Sequence, residues 1–449
     1  CCHCYTRSML LATEPRAVDL RIDARFVIPV EPDGTLEDHT VIVDAGKIAA
    51  VLPRADADRN FRAREHVEFS EHALIPGLVD AHTHAAMTLL RGIADDVPLK
   101  AWLAEHIWPR EGRFVSPEFV HDGALLGAAE MLQAGVTCCN DMYFHPEATA
   151  QAFEQAGMRA MLGIPILDFP TPYAADADGY LARGLAARDA FKTSPRLSFS
   201  LAPHAPYTVG DATWQSIVVY ARPLDLVIQT HLAETAQEVD ESRATYHETP
   251  LARLDRLGAT GPGFIAIHAV HLDTRDIDLL AAQGCHVVHC AGSNMKLASG
   301  VAPVVKLLER GVNVALGTDG AASNNRLDVL DEMRLAGLLA KVTSGDAAAL
   351  PAATLLRMAT LNGAIALGLD ARIGSIAPGK DADLTAVRLG DVETLPLYDA
   401  VAQLPNAAGR EHVTDVWVAG ERVVDARRLT RIDVPALLGR TRAWQARLE

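Results

Sequence analysis

The pattern of hydrophobic and polar positions changes texture twice along the chain. From Val18 to about Ala50, short β-type runs (RFVIPV, then HTVIVDAGKIAAVLP) are broken by turn residues such as EPDG, which predicts a small sheet. After Pro76-Gly77, and as far as about Leu369, apolar runs alternate with Ala- and Leu-rich stretches whose apolar positions recur every three or four residues. One such stretch, PEFVHDGALLGAAEMLQAG (117–135), closes on Gly135, a residue type that ends helices. The candidate strands are 73–82, 136–142, 159–166, 196–204, 224–231, 264–268, 286–290 and 313–319. Eight strand-and-helix units predict an α/β fold of the (β/α)8 TIM-barrel type over 76–370, with reactive groups at the C-terminal ends of the strands. Beyond Gly368 the runs IGSIAPGKDADLTAVRL and HVTDVWVAGERVV return to short strands. The expectation is a disordered tail over 1–16 and a small β-sandwich domain built from both chain ends, 17–75 and 371–449, with a terminal helix. The segment 390–409 is expected to be a loop, and neither an internal repeat nor a low-complexity block is visible.

Composition narrows the class. Of 449 residues, 49% are hydrophobic and 22% charged, which excludes a disordered, collagen-like or coiled-coil chain. A formal net charge of −16 repels phosphate backbones and anionic lipid, so neither nucleic acid nor membrane is expected as partner; a small-molecule substrate is, and a homo-oligomer is compatible. No run approaches the ~18 uncharged apolar residues of a membrane span, and the N-terminus lacks a signal-peptide h-region, so a cytoplasmic location is expected. The seven cysteines are too unevenly spread for a disulfide scaffold and are read as reduced thiols. Cys1-Cys2-His3-Cys4 is too tight to wrap one tetrahedral ion. Cys138-Cys139 is a poor redox pair because neighbouring strand positions face opposite sides.

Histidines carry the chemistry. His82 and His84 form a His-x-His pair closing the first barrel strand, where alternation puts both side chains on one face. His231 ends the fifth strand, His268 the sixth, and Asp319 the eighth, inside Gly317-Thr318-Asp319-Gly320. Taken singly, a strand-end histidine is ordinarily structural and a TDG triplet a turn. Converging on one barrel mouth, these imidazoles and a carboxylate suit Zn²⁺, with Fe²⁺ as the alternative.

Through PGLVDAHTH, THLAE, AIHAVH and LGTDGAASNN the chain resembles the amidohydrolase superfamily over nearly its whole length. Within it, HTHAAMTLLRG, EHIWPREGR, DMYFHPE, APHAPYTV and SNMKLASG resemble the 5-methylthioadenosine/S-adenosylhomocysteine deaminase family. The resemblance implies a single ion held by His82, His84, His231 and Asp319. Relatives with two metals use a lysine at the end of the fourth strand, where this chain has His204 and no lysine.

The reaction implied is hydrolytic deamination of an adenine nucleoside. A bound cation lowers the pKa of water from about 15.7 toward about 7. Glu234, three residues after His231, is placed to move protons to N1 and the leaving amine; its bland reading is a helix N-terminal carboxylate. Asp319 would also take the proton of the attacking water. By resemblance His268 stabilises the reacting oxygen, Glu111 (placed in the loop after the first strand) accepts from both ribose hydroxyls, Trp102 walls the 5′ end and His204 hydrogen-bonds the nucleoside. The bland alternatives are an exposed loop charge for Glu111 and a core Trp102. His271, His286 and His289 are assigned to packing. Relatives that accept a homocysteine tail are expected to carry an Arg near the end of the third strand. The first cation after this chain's third strand is Arg183, which favours the methylthio nucleoside over S-adenosylhomocysteine. The rivals are a guanine or cytosine deaminase, a triazine chlorohydrolase, and a catalytically silent metal-binding barrel.

Overall fold

The computed structural model describes residues 15–449; the cysteine cluster and nearly all of the expected tail lie outside the described residues, and the first strand already begins at Arg16. Two eight-stranded sheets organise the chain. The first takes β1 (Arg16–Val27), β2 (Leu36–Asp44), β3 (Lys47–Pro53) and β4 (Phe61–Pro76) from the N-terminal side. The second consists of β5 (Leu78–Thr83), β6 (Val136–Met142), β7 (Arg159–Ile166), β8 (Leu197–Pro203), β9 (Ile228–Leu232), β10 (Phe264–His268), β11 (His286–His289) and β12 (Asn313–Leu316). The chain then returns to the first sheet with β13 (Leu384–Arg388), β14 (Val413–Val418), β15 (Glu421–Asp425) and β16 (Arg428–Leu429). Antiparallel pairing of β13 with β4 joins the two chain ends.

All seven pairings within the second sheet are parallel. The seam between β12 and β5 closes through Asp80, whose carboxylate accepts from the Thr318 N–H (2.9 Å) and hydroxyl (2.6 Å), and through the Asp319 N–H on the His82 carbonyl (3.0 Å). Gly317 is needed there, because a Cβ would lie 2.9 Å from the His82 backbone. Strand alternation separates an inner core (Val79, Cys138, Ile265, Val288) from an outer one facing the helices. Cys138 falls in the inner core and its neighbour Cys139 in the outer, both as free buried thiols.

Several boundaries differ from the sequence reading, among them that of the eighth strand, which ends at Leu316 rather than at 319 and leaves Asp319 just past it. The run 73–82 is not one strand: it crosses from β4 to β5 at Gly77, where a side chain would collide with Thr137 at 2.1 Å. Leu224 ends the helix Asp211–Leu224 and Asp225 turns at φ 50°, so β9 starts only at Ile228. The segment 390–409 contains the helix Ala400–Asn406, whose first N–H groups bond to Asp399. At the C-terminus, the helix Val434–Leu448 docks through Arg440 and Trp444, both hydrogen-bonded to Asp122 (2.8 and 3.0 Å). No helix among the described residues is long and apolar enough to cross a membrane.

Candidate active site

The five predicted strand-end groups meet at the C-terminal mouth of the barrel. His82 Nε2 lies 3.3 Å from His231 Nε2 and 3.5 Å from Asp319 Oδ1; His84 Nε2 lies 3.2 Å from the same oxygen. Both His82, His84, Asp319 and His82, His231, His268 have donor atoms mutually within 4.8 Å. Distance alone therefore ranks His268 with the four expected ligands.

The far sides of the rings are already engaged. Nδ1 of His84 donates to the Met142 carbonyl and Nδ1 of His231 to the His204 carbonyl (2.8 Å), so each carries a hydrogen there and turns its Nε2 to the centre. His268 Nδ1 bonds to Asn294 Oδ1 (2.9 Å) and its Nε2 stands 3.8 Å from Glu234 Oε2, so it lies between the cluster and that carboxylate. Asp319 Oδ2 accepts from Ser293 and Ser323 (2.6 and 2.7 Å), leaving Oδ1 facing the imidazoles. Burial holds His82 down to about 3 and His231 well below its ordinary range. Burial would lower His84 too, but Asp319 outweighs it and lifts His84 to about 9. Ring nitrogens crowded around a buried carboxylate call for positive charge, either the proton that His84 holds against Asp319 or a metal ion in its place, and this donor set makes a divalent-metal site.

Glu234 follows β9 in a turn where Ala233 adopts φ 49°. It is buried, which raises its pKa, and its Oε1 accepts from Ser299 (3.2 Å). From the metal cluster a cavity of about 280 Å³ extends outward. His204, Trp102 and Glu111 all line it. Burial lowers His204 to about 4, so its ring is neutral. Trp102 is buried in a wall shared with Leu103, Trp108, Phe144 and Phe169. Glu111 belongs not to a loop but to the segment Trp108–Phe114, the last part of a continuous helical run that begins at Leu99 and is π-helical over Trp102–Ile107. Among the described residues no Lys or Arg lines the cavity; Arg183 instead stacks on Tyr173 (4.4 Å) and donates to its carbonyl. His271 bonds to the Ser299 carbonyl (2.7 Å) and His286 to the Pro262 carbonyl (3.0 Å).

Sequence reasoning missed the groups that hold these residues in place. Tyr143, Asn294, Ser293 and Ser299 sit in DMYFHPE and SNMKLASG, motifs legible as family likeness but silent about contacts. Glu238 sits one helical turn past Glu234 and had no motif of its own.

A parallel barrel with a divalent-metal site at its C-terminal mouth defines a metal-dependent enzyme. Residues 73–423 match the Amidohydrolase family. The chain is 44% identical over 437 residues to a 5-methylthioadenosine/S-adenosylhomocysteine deaminase of Teredinibacter turnerae, covering 97% of this chain and 99% of that one. A 5′-deoxyadenosine deaminase of Methanothermobacter thermautotrophicus is 44% identical over 354 residues, 78% of this chain and 81% of its own. Among solved structures, an adenosine deaminase from Xanthomonas campestris with bound zinc superposes with a TM-score of 0.95 at 50% identity, covering 97% of this chain and 99% of that one. The chain belongs to the amidohydrolase family and, within it, to the 5-methylthioadenosine/S-adenosylhomocysteine deaminases.

Proposed function

We propose that this enzyme hydrolyses the 6-amino group of an adenine nucleoside with an uncharged 5′ substituent, 5′-methylthioadenosine first, giving the inosine analogue and ammonia. The observation that carries the reading is one cavity with the metal cluster and Glu234 at its inner end, Glu111 in its wall and, among the described residues, no Lys or Arg in its lining. We assign His82, His84, His231 and Asp319 to a single ion, with zinc as the metal, in line with the zinc held by the Xanthomonas enzyme. The bound ion supplies Lewis acidity and an activated water.

The rest falls to side chains. Glu234, with its pKa raised by burial, holds the proton that N1 of the ring needs as C6 is attacked. Asp319 Oδ1, the oxygen not occupied by the two serines, takes the proton of the attacking water. His268 Nε2 faces the developing charge on the C6 oxygen. Glu111 takes the ribose hydroxyls, His204 donates to the nucleoside, and Trp102 with its aromatic neighbours receives the methylthio group. A base or triazine substrate would leave the half-buried Glu111 carboxylate with the Tyr143 hydroxyl as its one side-chain partner and its remaining lone pairs unmatched, which weighs against those rivals.

Ammonia release by the metal-replete enzyme tests this. Turnover is expected to be fastest on 5′-methylthioadenosine, slower on adenosine and S-adenosylhomocysteine, and negligible on free adenine. Equal rates on adenine and the nucleosides would overturn the role of Glu111.

A further inference from the structure

The motif DMYFHPE, which closes β6 and runs on past it, has no role in the chemistry above, yet three successive residues of it reach the site. Asp141 Oδ1 accepts the Ala85 N–H (2.7 Å), and the Met142 carbonyl takes Nδ1–H of His84. Tyr143, buried against the cavity, donates its hydroxyl to Glu111 Oε1 at 2.7 Å. That contact spans elements that share no backbone pairing: Tyr143 follows a barrel strand, whereas Glu111 rides on the short helix Trp108–Phe114 that covers the mouth.

We infer that Tyr143 is the residue that positions Glu111 for the ribose diol, and so sets the enzyme's preference for ribonucleosides over deoxynucleosides. This rests on the reading of Glu111 given above. A carboxylate offers about four lone-pair sites. Tyr143 occupies one, on Oε1, and fixes the plane of the group while leaving Oε2 and the second Oε1 site for two vicinal hydroxyls. No other side chain hydrogen-bonds to Glu111 among the described residues, so without the phenol the carboxylate turns freely about its last torsion. Burial also pushes the Glu111 pKa up, and the Tyr143 hydroxyl is the main group opposing that rise. A hydroxyl pair presented to a rotating or protonated carboxyl finds one partner where the fixed carboxylate offers two. The Tyr143–Glu111 pair touches the ribose and not the ring, so its loss weakens the ground state and the transition state alike and is read in KM, while the proton-transfer groups at the ring are left alone. The same turn thus orients His84 at one end of the cavity and Glu111 at the other.

The test compares 5′-methylthioadenosine with its 2′-deoxy and 3′-deoxy counterparts in wild type, Tyr143→Phe, Glu111→Gln and the double variant, following ammonia release. The ratio of kcat/KM between two substrates is independent of the fraction of folded enzyme, so partial misfolding cannot imitate the result. Tyr143→Phe keeps the ring and removes only the hydroxyl. It is expected to raise KM for the ribonucleoside about 10-fold with kcat within about 2-fold, and to shrink the ribo-over-deoxy preference by about 10-fold. Glu111→Gln is expected to abolish most of the preference, and the double variant to be no worse than Glu111→Gln alone. An unchanged preference in Tyr143→Phe, with all three substrates slowed alike, would reduce Tyr143 to packing and overturn the inference while leaving Glu111 its role. An unchanged preference in Glu111→Gln would overturn the reading of Glu111 itself, and the inference with it.

Discussion

Glu238 holds the turn that carries Glu234: its two carboxylate oxygens accept the backbone N–H groups of Ala233 (2.8 Å) and Glu234 (2.9 Å). Ala233 there has φ 49°, a conformation that a non-glycine residue keeps only when its surroundings enforce it. Glu238→Gln keeps the size but replaces one acceptor by an NH₂ that faces a donor. The expected outcome is a fall in kcat of about 100-fold with little change in KM, because a misplaced proton-transfer group costs rate rather than affinity. Equal kcat in wild type and Glu238→Gln would show that the turn holds itself.

Glu234 faces the metal cluster across His268 rather than entering it. Glu234→Gln should therefore lower kcat by about 10²- to 10⁴-fold while the bound metal, measured by elemental analysis, stays at the wild-type level. Chelation should abolish activity in wild type and lower its thermal midpoint as well, since an ion that binds only the folded chain stabilises it. Loss of metal from Glu234→Gln would make Glu234 a ligand and reassign the proton transfer.

How much of this was legible in the sequence depended on whether a residue's role is fixed by its own strand. His82, His231, His268 and Asp319 stand at or just past the ends of β5, β9, β10 and β12, so an apolar run followed by a donor announced them. The stretch 73–82 hid a crossing between two sheets, because an apolar run looks the same on either side of Gly77. Glu111 needed a helical run that starts at Leu99, twelve positions earlier, and Glu238, Tyr143 and Asn294 act through contacts between separate elements. Such contacts leave no periodic trace.

Arg159 on β7 ties the barrel to the terminal sheet. It is buried, donates to both oxygens of Asp383 (2.9 and 3.0 Å) and reaches Asp381 (3.0 Å). Removing one member of a buried ion network costs about 3–5 kcal/mol because its partners stay buried and unpaired. Arg159→Met should lower the urea midpoint accordingly. Burial pushes Asp381 up, but Lys47, Arg159 and Arg372 outweigh it and hold its pKa below the ordinary value. The folded state therefore binds the proton more weakly than the unfolded chain. The contribution is fully present above about pH 4, the unfolded value for Asp, and is lost as the pH falls through the folded one. The gap between wild type and Arg159→Met in urea unfolding should accordingly narrow below about pH 4; a constant gap down to pH 2 would assign the loss to packing.

The described residues put no Lys or Arg in the cavity lining, and one substitution adds one. Phe169 follows β7 in the loop over the cavity, is 39% exposed, and lies with its ring 6.4 Å from that of Trp108 at the mouth. Phe169→Arg puts a guanidinium where a homocysteine carboxylate would emerge, and a bidentate pair there needs no movement of the barrel. The ratio of kcat/KM for S-adenosylhomocysteine over 5′-methylthioadenosine should rise by about 10-fold, with the gain shrinking as salt is added, because a pair at the rim is screened. If instead both substrates lose activity in proportion, the aromatic wall matters for closing the cavity and the discrimination between the two nucleosides lies elsewhere.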